Sequence, residues 1–561
     1  MTKIIEKQEI ISDLEKRVAD KILEQSNFDL LKKLVENADT LDEAIMIAEL
    51  GTTYKRTGFH FDKRLEKTDG NDISYFKKNN ELSFETNPNA TTHKLIVGDN
   101  YPALLNLLVE YRGKIDVIYI DPPYGKDSMG EFAETNYDNA ITRDNLLSML
   151  YPRLYLAKQL LSESGVIFCS IDDRNQAYVK CLFDEVFEES NFIAQIVVET
   201  ANGVFGTRAS GLKTTIVKVK DNVLVYSKTN TDKNFQPLYM STNDRFDTHY
   251  SIMLDENLNR TNFLDYLKNA ESTKVYFEKY RLKISLDNVS KIMSIDKDFN
   301  KIIINDLADK IYQDVAFSLK VPEEYEKELQ NGKIIKYKDY LIFRTNSGNG
   351  TVRQLIPFSE SLRMTDEYLP EFRRAVAMGD LWENFDNDMK NVKSECFNLP
   401  FDNPKPVRLI KLLSKFANNK EAIILDFFAG SGTTGQAVLE LNKEDGGTRQ
   451  FILATANEIT STTPNGVVAD VTSKRLKRVM TGECYDGTNN FEWANKNAPL
   501  GDNLLVLYIA EVFNREAVAG KTAFDVIDET LYGKEKFTTV QEKVEWLCDN
   551  FEVTQKRLEE K

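Results

Sequence analysis

The chain has 561 residues, 42% of them hydrophobic and 29% charged, with a formal net charge of −16. That length is too great for one core, so several domains of ordinary globular composition are expected. No apolar run approaches the roughly 20 residues that cross a bilayer, and the charged start MTKIIEKQEIISDLEKR has no apolar signal core. The five cysteines (Cys169, Cys181, Cys396, Cys484, Cys548) contain no C-x-x-C pair, and the histidines are His60, His93 and His249. This speaks against a disulfide framework, a zinc site or a histidine-rich metal centre, and suits a reducing cytoplasm. An acidic sum does not suggest a phosphate-gripping protein, although a local basic cleft can coexist with it. Arg208, Lys213, Lys218, Lys220 and Lys228 form one locally basic stretch.

Residues 1–50 carry apolar residues at helical spacing through Ile10, Leu14, Val18, Ile22, Leu30, Leu31 and Leu34, which predicts a packing or oligomerisation helix pair. Residues 51–92 are polar and irregular. From 93 onward, short apolar runs alternate with helical stretches. LIVG (95–98), IDVIYI (115–120), VIFCSI (166–171) and VLVYSK (223–228) read as buried strands, with a helix over 145–161. Strands alternating with helices predict a parallel, doubly wound α/β sheet. Over 231–400 that rhythm is lost, save for a possible hairpin near KIIKYKDYLIF (333–343). It resumes with a helix (406–417), the strand AIILDFF (422–428), a helix after Gly432 and the strand QFILAT (450–455). From 486 to 561 a helical domain is expected. One α/β domain, in parts 51–230 and 401–485, is thus split by an insertion.

Two motifs carry chemistry. Asp426-Phe-Phe-Ala-Gly430-Ser-Gly432-Thr-Thr-Gly435 follows an apolar strand and opens a helix. Its glycines let backbone approach a ligand, and the free amides of the helix start favour an anion. With Glu458 downstream it also satisfies the dinucleotide fingerprint, so alone it is ambiguous between a nucleotide-type cofactor and a simple turn into a helix. The second, Asp121-Pro122-Pro123-Tyr124, ends the strand IDVIYI, where α/β sheets bind ligands. Its two prolines lock φ and remove amide donors, leaving carbonyls that only accept. A carboxylate, the Pro122 carbonyl and an aromatic ring at one strand tip suit an exocyclic amine. The plain alternative is a turn with an exposed tyrosine.

DPPY followed far downstream by DFFAGSGTT resembles the amino-methyltransferases of DNA in the β-class order, in which the catalytic motif precedes the cofactor motif. The resemblance implies a Rossmann-like, S-adenosylmethionine-dependent methyltransferase domain interrupted by a target-recognition domain (231–400), with helical extensions at both ends. It implies that Asp121, Pro122, Pro123 and Tyr124 act on a flipped adenine and that no metal is needed. Val97-Gly98-Asp99-Asn100 is similar to the family element whose acid contacts the cofactor's adenine amine. Asn403-Pro404-Lys405-Pro406 is similar to the element that closes over the methionine. Asp426 would meet the methionine amino group, with Phe427, Ala429, Gly430, Ser431, Gly432 and Thr433 forming the loop and Asp121 bordering the cofactor. Glu458 would take the ribose hydroxyls, although Ala454-Thr-Ala-Asn-Glu458 sets the acid back from the strand end.

More narrowly, Tyr54-Lys-Arg-Thr-Gly-Phe-His-Phe-Asp-Lys, Phe168-Cys-Ser-Ile-Asp-Asp and Val223-Leu-Val-Tyr-Ser-Lys resemble the modification subunit of type III restriction-modification systems. That implies double-stranded DNA as partner, a homodimer and a separate ATP-dependent restriction subunit. Asp at the head of DPPY favours adenine N6 over cytosine N4 in the family pattern. Arg344, Asn346, Arg353 and Gln354 are candidate base readers, against the plainer reading of a solvated loop. Competing readings are a nicotinamide-dependent oxidoreductase, resting on the glycine pattern alone, and a non-catalytic specificity subunit. Gly520-Lys521-Thr522 lacks the leading glycine and strand of a P-loop.

Overall fold

The computed structural model describes residues 7–19, 23, 25–50, 72–124, 143–201, 218–230, 235–330, 333–345 and 350–513. Outside these fall Arg208, Lys213, Asn346, the Gly520-Lys521-Thr522 stretch and the Tyr54-to-Lys63 segment. The chain divides into two compact units, residues 1–62 and 63–561. No helix among the described residues is long and apolar enough to cross a membrane.

In the first unit, helices α1 (Lys7–Ala19), α2 (Gln25–Asn37) and α3 (Leu41–Leu50) share one small core. Leu14, Val35 and Ala44 are fully buried there. The expected stripe is corrected on α2. Leu31 is buried as expected, but Leu30 and Leu34 are 58% and 44% exposed, and Phe28 and Val35 complete the inward face with Leu31 instead. Two overlapping apolar stripes of helical period compete on α2, and packing selects the one carrying the phenylalanine.

The second unit is built on a ten-stranded sheet. Its strands are β1 (Asp72–Lys78), β2 (Thr92–Val97), β3 (Ile115–Ile120), β4 (Leu161–Ile171), β5 (Phe192–Glu199), β6 (Lys220–Ser227), β7 (Leu381–Trp382), β8 (Ile423–Asp426), β9 (Gln450–Thr455) and β10 (Asn503–Phe513). They lie in the order β1-β10-β2-β9-β8-β3-β4-β6-β5-β7. The centre, from β10 to β4, is parallel throughout. Ile115, Val117, Ile118, Tyr119 and Ile120 of β3 are all buried, as expected of a parallel strand covered on both faces. Helices α4 (Asn100–Tyr111), α5 (Arg143–Leu160) and α6 (Gln176–Phe187) connect the first strands; α7 (Asp386–Glu395), α8 (Val407–Phe416), α9 (Thr433–Asp445) and α10 (Ser473–Thr481) belong to the returning half.

Three expectations are corrected. The strand at 223–228 is antiparallel to both neighbours, so the sheet is mixed; an apolar run reads alike in either direction. Residues 51–92, read as irregular, contain β1 and the first residue of β2. Of the segment 486–561 read as helical, residues 503–513 form β10 instead, parallel to β2 and antiparallel to β1, and residues 514–561 lie outside those described. Its run NLLVLYIAEVF is rich in β-branched and aromatic residues, which a helical reading undervalues. Leu504 is 1% exposed and Val506 fully buried. Leu504→Ala is expected to destabilise this unit by about 2–5 kcal/mol through the cavity it leaves, read as a lowered denaturant midpoint.

Between β6 and β7 the chain builds a six-stranded antiparallel sheet, a three-stranded sheet and a helical layer over Phe263, Phe277, Val289, Ile292 and Phe299. The hairpin expected near 333–343 forms between 335–337 and 340–344. Residues 381–382 have already rejoined the large sheet beside β5.

Candidate active site

β8 and β3 are hydrogen-bonded neighbours in which Leu425 stands opposite Ile118. Asp426 and Asp121 therefore emerge at the same, carboxyl end of adjacent parallel strands, where open α/β sheets form their crevices. A cleft of about 590 Å³ opens there. Its walls bring together Asp121, Pro122, Pro123 and Tyr124 with Asp426, Ala429, Gly430, Ser431, Thr433 and Lys405.

The Asp121 carboxylate accepts from the Tyr124 hydroxyl at 2.6 Å. Lys405 Nζ donates to that hydroxyl at 2.5 Å and lies 3.3 Å from Asp121 Oδ1. Asn175 Nδ2 donates to the Tyr124 carbonyl, fixing the turn from the α6 side. Burial pushes the Asp121 carboxyl above its ordinary range, with Lys405 and Tyr124 pulling against that shift. For Lys405, burial opposes the charge, but Asp121 and Asp221 outweigh it and the ammonium is held more tightly than usual. The ring of Tyr124 has the Lys405 ammonium 5.1 Å from its centroid.

Asp426 is 3% exposed. It accepts from Thr434 Oγ1 at 2.5 Å and from the Phe428 amide at 3.0 Å. Burial outweighs both bonds and pushes its carboxyl up to about 7. The loop that follows depends on two left-handed residues, Gly430 (φ 46°) and Gly432 (φ 78°), the latter capping α9. From below, the fully buried Arg475 of α10 donates to Ser431 Oγ at 3.1 Å, Thr433 Oγ1 at 2.8 Å and Gln436 Oε1 at 2.9 Å. Thr472 donates to the Gly430 carbonyl at 2.5 Å.

Asp99 caps α4 by accepting from the Tyr101 amide at 2.7 Å, and pairs with Arg153 at 3.0 Å. Asn100 donates to the Phe427 carbonyl at 3.0 Å, tying α4 to the loop after β8. These residues stand beside the cleft and are not among those that line it. Glu458 also does not line it; it lies beyond β9, where its carbonyl accepts from the Val467 amide.

Sequence reasoning missed Asp221, Asp172 and Arg174, all on the cleft wall. It also misjudged the basic stretch. Lys218 pairs with Asp221 at 2.6 Å, Lys220 with Asp173 at 2.5 Å and Lys228 with Glu163 at 2.8 Å, so these three cations are locally neutralised. Asp221 sits amid the lysines and was visible as an acid at a strand start; Asp172, Asp173 and Glu163 come from other parts of the chain. Of the candidate base readers, Arg353 is paired with Asp314 at 2.7 Å and Arg344 donates to the Gly350 carbonyl at 2.5 Å. Gln354 lies on a strand opposite Val315 and Ile342.

Residues 115–459, more than half the chain, match the DNA methylase family. The chain belongs to the DNA methylase family. Residues 6–117 also match a family of uncharacterised conserved proteins. Among relatives, the chain is 28% identical to the type III restriction-modification enzyme StyLTI Mod subunit of Salmonella typhimurium, over 70% of this chain and 57% of that one. It is 26% identical to the type II methyltransferase M.KpnI of Klebsiella pneumoniae, over 70% of this chain and 88% of that one. The chain thus spans little more than half the length of the StyLTI subunit. A solved structure of a putative DNA modification methylase from Thermus thermophilus, complexed with S-adenosyl-L-methionine, aligns with 11% identity and a TM-score of 0.31, covering 74% of this chain and 99% of that one.

Proposed function

We propose that this methylase transfers a methyl group from S-adenosylmethionine to N6 of an adenine flipped out of double-stranded DNA. The observation that carries the reading is the convergence of Asp121-Pro-Pro-Tyr124 and the Asp426–Thr433 loop on one cleft. The cradle suits the cofactor's amino acid portion. A buried carboxyl at about 7, with two hydrogen bonds and no cation among the causes of its shift, gains most from an incoming ammonium. The start of α9 offers amides to the carboxylate. Lys405, Asp99 and Asn100 border the same region, and Glu458 is a more distant candidate for the ribose. When bound, the cofactor supplies an electrophilic methyl on a sulfonium.

The chain's own groups then act by position and charge. The adenine amine is a weak nucleophile because its lone pair is delocalised. Asp121 and the Pro122 carbonyl accept its two hydrogens and favour a tetrahedral nitrogen, with no covalent enzyme intermediate required. Asp121, raised by burial, is basic enough to receive the proton once the methylated nitrogen is cationic. The base must leave the stack to reach this cleft, and the Tyr124 ring offers it a new stacking face.

The insertion between β6 and β7 is proposed as the target-recognition domain. Likeness to the StyLTI subunit supports a type III modification subunit, and a homodimer working with a separate restriction subunit is proposed with it. The fuller coverage of M.KpnI favours a second reading, a stand-alone methyltransferase. Mass spectrometry of DNA incubated with protein and S-adenosylmethionine tests the reaction. N6-methyladenine is expected; N4-methylcytosine would overturn the base assignment, and no methylated base would overturn the activity.

Gly432→Ala gives a second check. The left-handed φ of 78° costs about 1–3 kcal/mol for a residue with a side chain, and the added Cβ meets Thr472 Cγ2 at 3.1 Å. Cofactor affinity is expected to fall roughly tenfold or more, measured by calorimetric titration; unchanged affinity would remove the loop from the binding site.

A further inference from the structure

Lys405 is held among three oxygens: the Tyr124 hydroxyl at 2.5 Å, Asp121 at 3.3 Å and Asp221 at 3.6 Å. Its side chain is only 14% exposed. An ammonium so enclosed needs counter-anions. With Asp121 as sole partner, it would close onto the carboxylate and occupy the lone pairs that an amine substrate needs. Asp221 faces the same ammonium, at 3.6 Å, from the second position of β6, two strands away from β3. It draws on the same ammonium while being anchored itself by Lys218 at 2.6 Å. Lys218 in turn lies 3.8 Å from Asp172, which Arg174 also pairs. The cleft wall is thus a row of alternating charges that ends on the DPPY carboxylate.

We propose that Asp221 is a positioning residue for methyl transfer: by sharing Lys405 it keeps that ammonium on the Tyr124 hydroxyl and leaves the Asp121 carboxylate open to the substrate amine. The inference rests on the methyl-transfer reading and adds a second carboxylate to its machinery. The electrostatics agree. Burial pushes Asp221 up, but Lys405 and Lys218 prevail and hold it ionised. Its charge raises the proton affinity of Asp121, opposing Lys405. Among the described residues, the titratable groups that interact with Asp121 include Tyr119, Tyr124, Cys169, Lys405, Asp221 and Asp426.

The test is a single-turnover pH profile of N6-methyladenine formation for wild type, Asp221→Asn and Asp221→Glu, alongside cofactor and DNA affinities. In Asp221→Asn, the single-turnover rate constant should fall about ten- to hundredfold at neutral pH. Its acid limb should move to lower pH, because Asp121 has lost a neighbouring negative charge. KM for DNA should change by less than about threefold. Asp221→Glu keeps the charge and should keep the wild-type limb. An unmoved limb in Asp221→Asn, or a loss confined to KM, overturns the proposal and leaves the methyltransferase reading standing. A displaced limb in Asp221→Glu overturns it too, even if the asparagine variant does not fold. A wild-type protein that binds the cofactor yet methylates no adenine overturns both.

Discussion

Asp121→Ala is expected to lower the rate constant of N6-methyladenine formation by about a thousandfold while leaving cofactor affinity within a few-fold of wild type. Removing one preorganised electrostatic contact to a developing charge costs roughly a hundred- to a thousandfold, and two further losses act with it. The Tyr124 hydroxyl loses its 2.6 Å acceptor, so the proposed stacking ring is no longer fixed. Lys405 is left with Asp221 as its nearer carboxylate and swings away from the cleft centre. Asp121→Asn keeps one carbonyl acceptor and should lose less. Cofactor affinity is spared because the proposed ammonium cradle, Asp426, is on the neighbouring strand with its own partners, Thr434 and Phe428. Single-turnover kinetics with calorimetry separates the two quantities. A rate constant within threefold of wild type would remove Asp121 from the chemistry.

Cofactor affinity should fall about tenfold for each pH unit below 7, roughly a hundredfold between pH 7 and 5, and level off above. The reason is the Asp426 carboxyl, pushed up to about 7 by burial. In the empty site it is largely protonated below neutrality, whereas an ammonium ligand requires the carboxylate, so binding releases a proton there. The same shift has a stability consequence of opposite sense. Because the folded pKa lies above the unfolded one, the native state holds this proton more tightly. Asp426 therefore contributes its full stability at low pH and loses it as pH rises through about 7. Cofactor addition should stabilise the protein most on the alkaline side. Asp426→Asn should bind weakly with a flat pH profile; a profile as steep as wild type in that variant would assign the titration elsewhere.

The local motifs were legible because each is contained in one strand and the turn after it. IDVIYI followed by DPPY predicted a carboxylate at a buried strand tip, and Asp121 stands there. AIILDFF followed by AGSGTT predicted a glycine-shaped turn into a helix, and Gly432 caps α9 in the left-handed region. Burial patterns of β3, β8 and β9 followed from apolar runs whose meaning does not depend on their neighbours. β10 failed that test, since an apolar run can be drawn as strand or helix until a sheet edge is present to receive it.

What the sequence determined by itself was the order of two motifs, their place at strand tips and the α/β class. The tertiary structure decided which charges meet. Lys405 stands 281 residues from Tyr124, and it reaches Asp121 and Asp221 only because β3, β4 and β6 lie side by side in the sheet. The lysines of 218–228, basic in sequence, are paired with carboxylates from distant segments or from their own strand start, and Arg475 reaches up beneath the glycine loop from a helix more than forty residues on. Residue type and spacing are local properties that a sequence carries outright. Coulombic and hydrogen-bonded partnership falls off within a few ångströms, so it exists only once strand order has brought the partners together.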